Sequence, residues 1–218
     1  MKEREDSYLH KGLRKKLVDE IREKGITDES VLQAINNVPR HFFLDSAFER
    51  HAYEDRAFPI GEDQTISQPY TVAYQTQLLQ VKPFDKVLEV GTGSAYQASV
   101  LVEMKAKVYT IERQKKLFDE KKLFKYLNRY PTLQRFYGDG FEGLPTFAPF
   151  DKIIITAAAP YIPEKLVQQL RPGGLMVLPL NEGDIQIMYR LTKLDDFSIK
   201  EERFDAFSFV PMLTGKNG

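Results

Sequence analysis

The sequence predicts an α/β fold built on a mostly parallel, doubly wound sheet, with helices leading the chain and an antiparallel strand pair closing it. Three observations carry that prediction. Short, nearly all-apolar runs, "DKVLEV", "AKVYTIE" and "FDKIIIT", alternate with segments of helical period, the pattern of strands buried on both faces. A glycine-rich turn, "GTGSAY", follows the first of these runs. The last stretch, "IQIMYRLTKLDD" then "FSIKEERFDAFSFVPML", lacks helical spacing and reads as two strands around a turn.

In chain order, Leu13, Leu17, Val18 and Ile21 recur at helical spacing and predict a helix that closes near Gly25. A second, shorter helix follows Thr27, read as its N-cap, and runs through Val31, Leu32 and Ile35 to Pro39. From Arg40 to Pro69 the period is lost, over a length that connections without a role seldom reach. Its aromatics, Phe42, Phe43, Phe48, Tyr53 and Phe58, read as packing beneath a functional segment rather than as a stacking platform. After "DKVLEV" come a helix in "QASVLVEM", a strand in "AKVYTIE", a long charged helix in "QKKLFDEKKLFKYLNRY" and a strand in "LQRFYG". The strand "FDKIIIT", the helix "IPEKLVQQL" and the strand "GLMVLPL" complete the alternation.

Composition narrows the function classes. A chain of 218 residues can bury one sizeable core without disulfides or metals to hold it. Lys plus Arg, 31, equals Asp plus Glu, 31, so no global field draws the protein to nucleic acid or membrane. The basic groups Arg14, Lys15, Lys16 and Lys115, Lys116, Lys121, Lys122 lack interleaved aromatics and read as solvated helix faces. There is no cysteine, which excludes disulfides, thiolate catalysis and Cys-based metal sites; no metal is expected. The charged start lacks the apolar stretch of a signal peptide, and no run of about 18 apolar residues occurs, so a cytoplasmic protein is expected.

In such a sheet a ligand sits at the carboxyl ends of the strands, where strand order reverses. The turn Gly91-Thr92-Gly93-Ser94-Ala95-Tyr96 lies there, and its glycines let a ligand approach the backbone. Glu112 ends the next strand, where a carboxylate can accept both ribose hydroxyls of an adenosine cofactor; a surface pairing with Arg113 or Lys116 is the plain alternative. Tyr96 stands where a dinucleotide fingerprint has its third glycine, which disfavours NAD and suits S-adenosylmethionine, a cofactor without phosphate. In Gly138-Asp139-Gly140 the Asp could accept from an adenine amino group, or simply make an Asp-Gly turn.

The segments "VLEVGTGSAYQASVL", "VYTIER" and "YGDGFEGLPTFAPFDKIIITAAAPYIPEKLVQQLRPGGLMVLPL", with "VPRHFF" and "AYEDRAFPIGEDQTISQPYTVA" upstream, resemble the protein-L-isoaspartate O-methyltransferases, which methylate isoaspartyl residues of aged proteins. The resemblance runs from about Leu13 to Leu213, and "AYEDRAFPIG" with "TISQP" is its most specific part. It implies a Rossmann-like S-adenosylmethionine-dependent methyltransferase fold in one unit: helices and active-site segment over 1–80, cofactor core over 81–180, C-terminal strands over 181–218. It also implies a catalytic Ser67, cofactor contacts from Gln64, Thr65, Ile66, Glu89, Gly91, Thr92, Gly93, Ser94, Tyr96, Glu112, Arg113, Asp139, Gly140 and Thr156, and substrate contacts from Ile60, Ser67, Gln68, Ala157 and Ala158. Isoaspartyl proteins and peptides are the implied partners of a monomer, with S-adenosylhomocysteine as product. Ala95 departs from the family's usual glycine, and cofactor binding is expected to survive unless that residue needs positive φ.

The implied chemistry needs no general base, because an isoaspartyl α-carboxylate, with an ordinary pKa of about 3.3–3.7, is already ionised near neutrality. It needs the carboxylate held in line with a sulfonium methyl, at about 3–3.5 Å, with water kept out. Thr65, Ser67 and Gln68 offer hydroxyl and amide donors for that, and Ser67 reads as a positioning donor rather than a covalent nucleophile. None of the three histidines, His10, His41 and His51, lies in a nucleophile-elbow context, so a hydrolase is disfavoured. Ser67 could equally cap a helix starting near Pro69, and a fully engaged cap would weaken the catalytic role. A small-molecule or RNA methyltransferase, and a binding module without turnover, stand as alternatives.

Overall fold

The computed structural model describes residues 5–120 and 126–218. Two helices lead, α1 (Tyr8–Glu23) and α2 (Glu29–Asn37). The cap of α2 is Asp28, one residue beyond the expected Thr27: its Oδ1 accepts from the amides of Ser30 at 2.9 Å and Val31 at 3.4 Å. Thr27 instead donates its amide to Gln77 Oε1, at 2.8 Å. The aperiodic stretch holds two 3-10 turns, Arg40–Phe43 and Ser46–His51, then a hairpin of β1 (Phe58–Gly61) and β2 (Gln64–Ile66). Its tip places two non-glycine residues, Glu62 and Asp63, at φ 51 and 54, the left-handed pair that a tight hairpin turn requires.

The rest alternates as expected: α3 (Pro69–Leu79), β3 (Lys86–Val90), α4 (Tyr96–Glu103), β4 (Lys107–Glu112), α5 (Lys115–Phe118), β5 (Leu133–Tyr137), β6 (Phe150–Ile155), α6 (Glu164–Gln169) and β7 (Leu170–Glu182), then β8 (Ile185–Lys193) and β9 (Ile199–Phe207). Of the long charged helix read from "QKKLFDEKKLFKYLNRY", the residues up to Glu120 form only the single turn α5, which closes at Asp119, and residues 121–125 lie outside the described residues.

The seven-stranded sheet has the order β5-β4-β3-β6-β7-β8-β9, parallel from β5 to β7 and antiparallel from β7 to β9. The doubly wound class with its terminal antiparallel pair is therefore what the sequence predicted. From β3 the chain winds outward to β5 and then returns to the other side of β3 as β6. The order reverses between β3 and β6, so the loops after Val90 and Ile155 part and open a crevice between them. One apolar cluster packs α1, α2, α3 and α4 on the sheet, with Leu17, Ile21, Ile35, Leu79 and Leu101 at most 1% exposed. A second cluster around Leu88, Ile153, Ile155, Leu166 and Leu178 covers the opposite face. Rigid strands buried on both sides thus hold the crevice.

Candidate active site

The floor of the crevice is the turn between β3 and α4. Gly91 has φ +98, and a Cβ there would stand 2.5 Å from Thr156 Oγ1, which itself donates to Gly91 O at 2.8 Å. Only glycine lets the ends of β3 and β6 approach so closely. The Gly93 amide donates to Glu112 Oε2 at 2.8 Å, and the Gln114 amide to Glu112 Oε1 at 2.8 Å. This carboxylate, 5% exposed, is held in place with lone pairs left over for a ligand's hydroxyls. Ala95 is left-handed, at φ 63 and ψ 16, so the condition attached to it in the sequence is met in full: this residue does need positive φ. The turn forms nonetheless, with the Ala95 amide donating to Thr92 O at 2.7 Å.

Tyr96 opens α4 and is buried against Arg40, whose guanidinium carbon lies 4.9 Å from the ring centre. Arg40 donates to Arg56 O at 3.2 Å, and burial pushes its guanidinium down to about 10. Its packing fixes one wall of the crevice from behind.

The roof comes from elsewhere. Gln64, Thr65 and Ile66 enter from β2 and Ser67 from just beyond it, Ala157 from the loop after β6, and Val210 to Leu213 from the tail. The helix beginning at Pro69 has Gln68 at its cap position, and no side chain of its own makes the cap bond. Its open Tyr70 amide donates instead to Asp55 Oδ1, at 2.8 Å. Ser67 is therefore not the cap, and among the described residues no group engages its hydroxyl. The tail is stitched over the strand ends: Ala158 pairs with Val210 and Met212, the Gly215 amide donates to Asp139 Oδ2 at 2.7 Å, and Arg113 Nε donates to Gly215 O at 3.0 Å.

Together these pieces line one half-open crevice. Its wall contains Gln64, Thr65, Ile66, Ser67, Gly91, Thr92, Gly93, Ser94, Tyr96, Glu112, Arg113, Gly140, Thr156 and Ala157. Ile60, Gln68, Glu89, Asp139 and Ala158 stand outside that wall. Ile60 underlies Gly93, where a Cβ would meet its Cδ1 at 3.4 Å, and Gln68 donates to Asp55 Oδ2 at 3.0 Å. Ala158 is taken up by the tail, and Asp139 divides its carboxylate between the amides of Phe141, at 2.9 Å, and Gly215. Glu89 sits within β3, fully buried, and burial pushes its carboxyl up to about 8.

Val72, Val90, Gln97, Ile111 and the tail residues Val210, Pro211, Met212 and Leu213 join the wall without having been singled out in the sequence. Val90 and Ile111 end strands, so their position carried the signal; the tail residues carried none. One group of potential metal ligands, Asp6, His10 and His41, lies away from the crevice. Both Asp6 oxygens accept from Arg14 and the two imidazoles stack 3.9 Å apart, an arrangement of ion pair and ring contact.

The floor fits S-adenosylmethionine: a turn with no room for side chains, a fixed carboxylate one strand away, apolar walls in Val90, Ile111 and Met212, and no phosphate-binding third glycine. Comparison with known proteins agrees. The family model for protein-L-isoaspartate(D-aspartate) O-methyltransferase matches residues 12–217. A protein-L-isoaspartate O-methyltransferase of Cytophaga hutchinsonii is 57% identical over 214 residues, 98% of this chain and 96% of that protein. One of Flavobacterium johnsoniae is 54% identical over 213 residues, covering 97% and 99%. A solved protein-L-isoaspartate O-methyltransferase aligns with TM-score 0.82 at 27% identity over 91% of this chain and 65% of that one. A Plasmodium falciparum structure in complex with S-adenosyl-L-homocysteine aligns with TM-score 0.80 at 24% identity, covering 92% of this chain and 98% of that one, and speaks to the fold alone. The chain belongs to the protein-L-isoaspartate(D-aspartate) O-methyltransferase family.

Proposed function

We propose that this chain transfers a methyl group from S-adenosylmethionine to the free α-carboxylate of L-isoaspartyl residues in proteins and peptides, with Ser67 as the donor that positions the carboxylate. The observation that carries the assignment is the Ser67 hydroxyl, unengaged among the described residues and set in the crevice wall between the glycine turn and Ala157. S-adenosylmethionine, when bound, supplies a sulfonium methyl to a nucleophile that arrives already ionised. Gly91 and Gly93 would give it room, Glu112 would accept from its ribose, and Val90, Ile111, Gly140 and Met212 would flank its adenine. Gln64, Thr65 and Ile66 would cover it from the hairpin side, with Thr92, Ser94, Arg113 and Thr156 completing the wall.

The work left to the protein is to hold one carboxylate oxygen in line with that methyl and to exclude water. A hydroxyl does this better than a lysine would, because it orients the carboxylate without quenching its nucleophilicity. The small side chain of Ala157 leaves space beside Ser67 for a peptide backbone. The reading includes action as a monomeric single unit in the cytoplasm, on protein and peptide substrates without nucleic acid. No described helix is long and apolar enough to cross a membrane.

The test is transfer of labelled methyl to a synthetic peptide with one isoaspartyl linkage, beside its normal aspartyl twin. Label in the isoaspartyl peptide alone, as a base-labile ester, is the expected result; label in neither peptide by a protein that binds the cofactor defeats the substrate assignment. Ser67→Ala is expected to lower kcat by about 100-fold, the scale of losing one donor at the reacting group, and to leave the cofactor Kd within about twofold. Equal loss in both would move Ser67 from substrate to cofactor.

A further inference from the structure

We propose that Asp55 is a positioning residue for methyl transfer, acting through Ser67: it takes over the N-terminus of α3 so that the serine hydroxyl is left to the substrate. The inference rests on the reading of Ser67 given above. A helix that starts Ser-Gln-Pro-Tyr has an ordinary way to satisfy its first free amide. Pro69 has no N–H, so the first open donor is Tyr70, and the nearest oxygens in sequence are those of Ser67 and Gln68. Neither is used. Asp55, fifteen residues back, accepts from Tyr70 N at 2.8 Å through one oxygen and from Gln68 Nε2 at 3.0 Å through the other.

The site is built for a carboxylate. The Asp55 side chain is only 3% exposed and its charge is met by Lys24 Nζ, 2.6 Å away at the C-terminal end of α1. The first turn of α3 has no acidic residue of its own, so Asp55 is also the anion that faces the positive end of that helix. Asp55 itself stands outside the crevice wall, so it does not touch the reacting groups.

The consequence for Ser67 is geometric. Ile66 is fixed by pairing with Phe58 in the hairpin, and Gln68 and Tyr70 are fixed by Asp55. Ser67 lies between these two anchors, with its hydroxyl disengaged and its backbone held on both sides. Removing Asp55 frees the second anchor and leaves the Tyr70 amide to recruit a nearby oxygen, Ser67 Oγ among them.

Steady-state kinetics on the isoaspartyl peptide, cofactor Kd by calorimetry and Tm test this with Asp55→Ala, Asp55→Asn, Ser67→Ala and the double variant. Asp55→Ala is expected to lower kcat by about 10- to 100-fold, the effect of small misplacement at a reacting centre, with cofactor Kd within about twofold. Asp55→Asn, which can still accept from Tyr70, recovers most of that loss. The double variant is no slower than Ser67→Ala alone, because both changes act on one element. Asp28→Ala, which removes the cap of α2 away from the crevice, lowers Tm without lowering kcat and so separates stability from positioning.

Wild-type kcat in Asp55→Ala beside a slow Ser67→Ala overturns the proposal and spares the reading of Ser67. A double variant slower than Ser67→Ala by the full Asp55→Ala factor does the same, since Asp55 would then act by another route. Fast turnover by Ser67→Ala defeats the reading of Ser67 and the route with it. Should Asp55→Ala fail to fold, Asp55→Glu keeps the pairing with Lys24 while shifting the carboxylate; a kcat several-fold down at unchanged cofactor Kd supports the proposal, and an unchanged kcat overturns it.

Discussion

The floor of the crevice and its roof are made in different ways from the same chain. The floor is mostly local: Val90 to Tyr96 in one turn, with Glu112 of the adjacent strand held by the Gly93 and Gln114 amides, and one longer tie from Thr156 to Val90 and Gly91. The roof is gathered from Gln64–Ser67, Ala157 and Val210–Leu213, and the bonds that place it span long separations, such as Gly215 to Asp139 over 76 residues and Arg113 to Gly215 over 102. The floor depends on backbone shape, whereas the roof depends on docking. A change in the floor should therefore act at one atom, and a change in the roof should act through loss of a whole segment.

The sharpest break of that contrast is Gly91→Ala. The new methyl meets Thr156 Oγ1 at 2.5 Å on a backbone at φ +98, and neither strand end can retreat because both lie in the parallel sheet. Strain and clash together are expected to cost about 3 kcal/mol of cofactor binding, about 100-fold in Kd by titration with S-adenosylhomocysteine. Binding within threefold of wild type would mean that the floor yields as easily as a loop.

A smaller effect is expected from the roof, by ending the chain after Phe209. This removes Val210 to Leu213 from the wall and with them the buried Met212, while β9 stays intact. Burying one such side chain is worth about 1.5–3 kcal/mol, part of which water recovers in the open site, so the cofactor Kd should weaken by about 10-fold. An unchanged Kd would show that the tail covers the site without contributing to it.

The same difference decides how much the sequence could show. The floor was legible because strand ends, glycines and Glu112 follow one another at fixed spacing, and parallel strands bring such residues together by topology alone. The hairpin was not read, since "PIGEDQTI" has no Asn-Gly or Asp-Gly pair and its turn forces Glu62 and Asp63 into left-handed backbone. The shift of the α2 cap from Thr27 to Asp28 is a one-residue competition that only the Gln77 contact decides. For α3, sequence offered Ser67 as a cap, and the true acceptor, Asp55, comes from a segment with no period to announce it. Asp139 reads as a ligand residue in sequence, and nothing there tells that Gly215 also donates to one of its oxygens.

Ala95 gives the smallest effect and the finest test of the floor. At φ 63 and ψ 16 an alanine costs about 1–2 kcal/mol relative to an unstrained position, and glycine there would remove that cost. Two terms oppose the gain. The Ala95 methyl is fully buried, worth about 0.8 kcal/mol, and glycine adds chain entropy to the unfolded state. The terms nearly cancel, so Ala95→Gly is expected to change stability by less than about 1 kcal/mol, which for a chain of this size keeps Tm within about 3 °C of wild type, with cofactor Kd unchanged because the turn already has its shape. A Tm lower by several degrees would show that packing of one methyl outweighs backbone strain at this turn, and the floor would then depend on side-chain fit as the roof does.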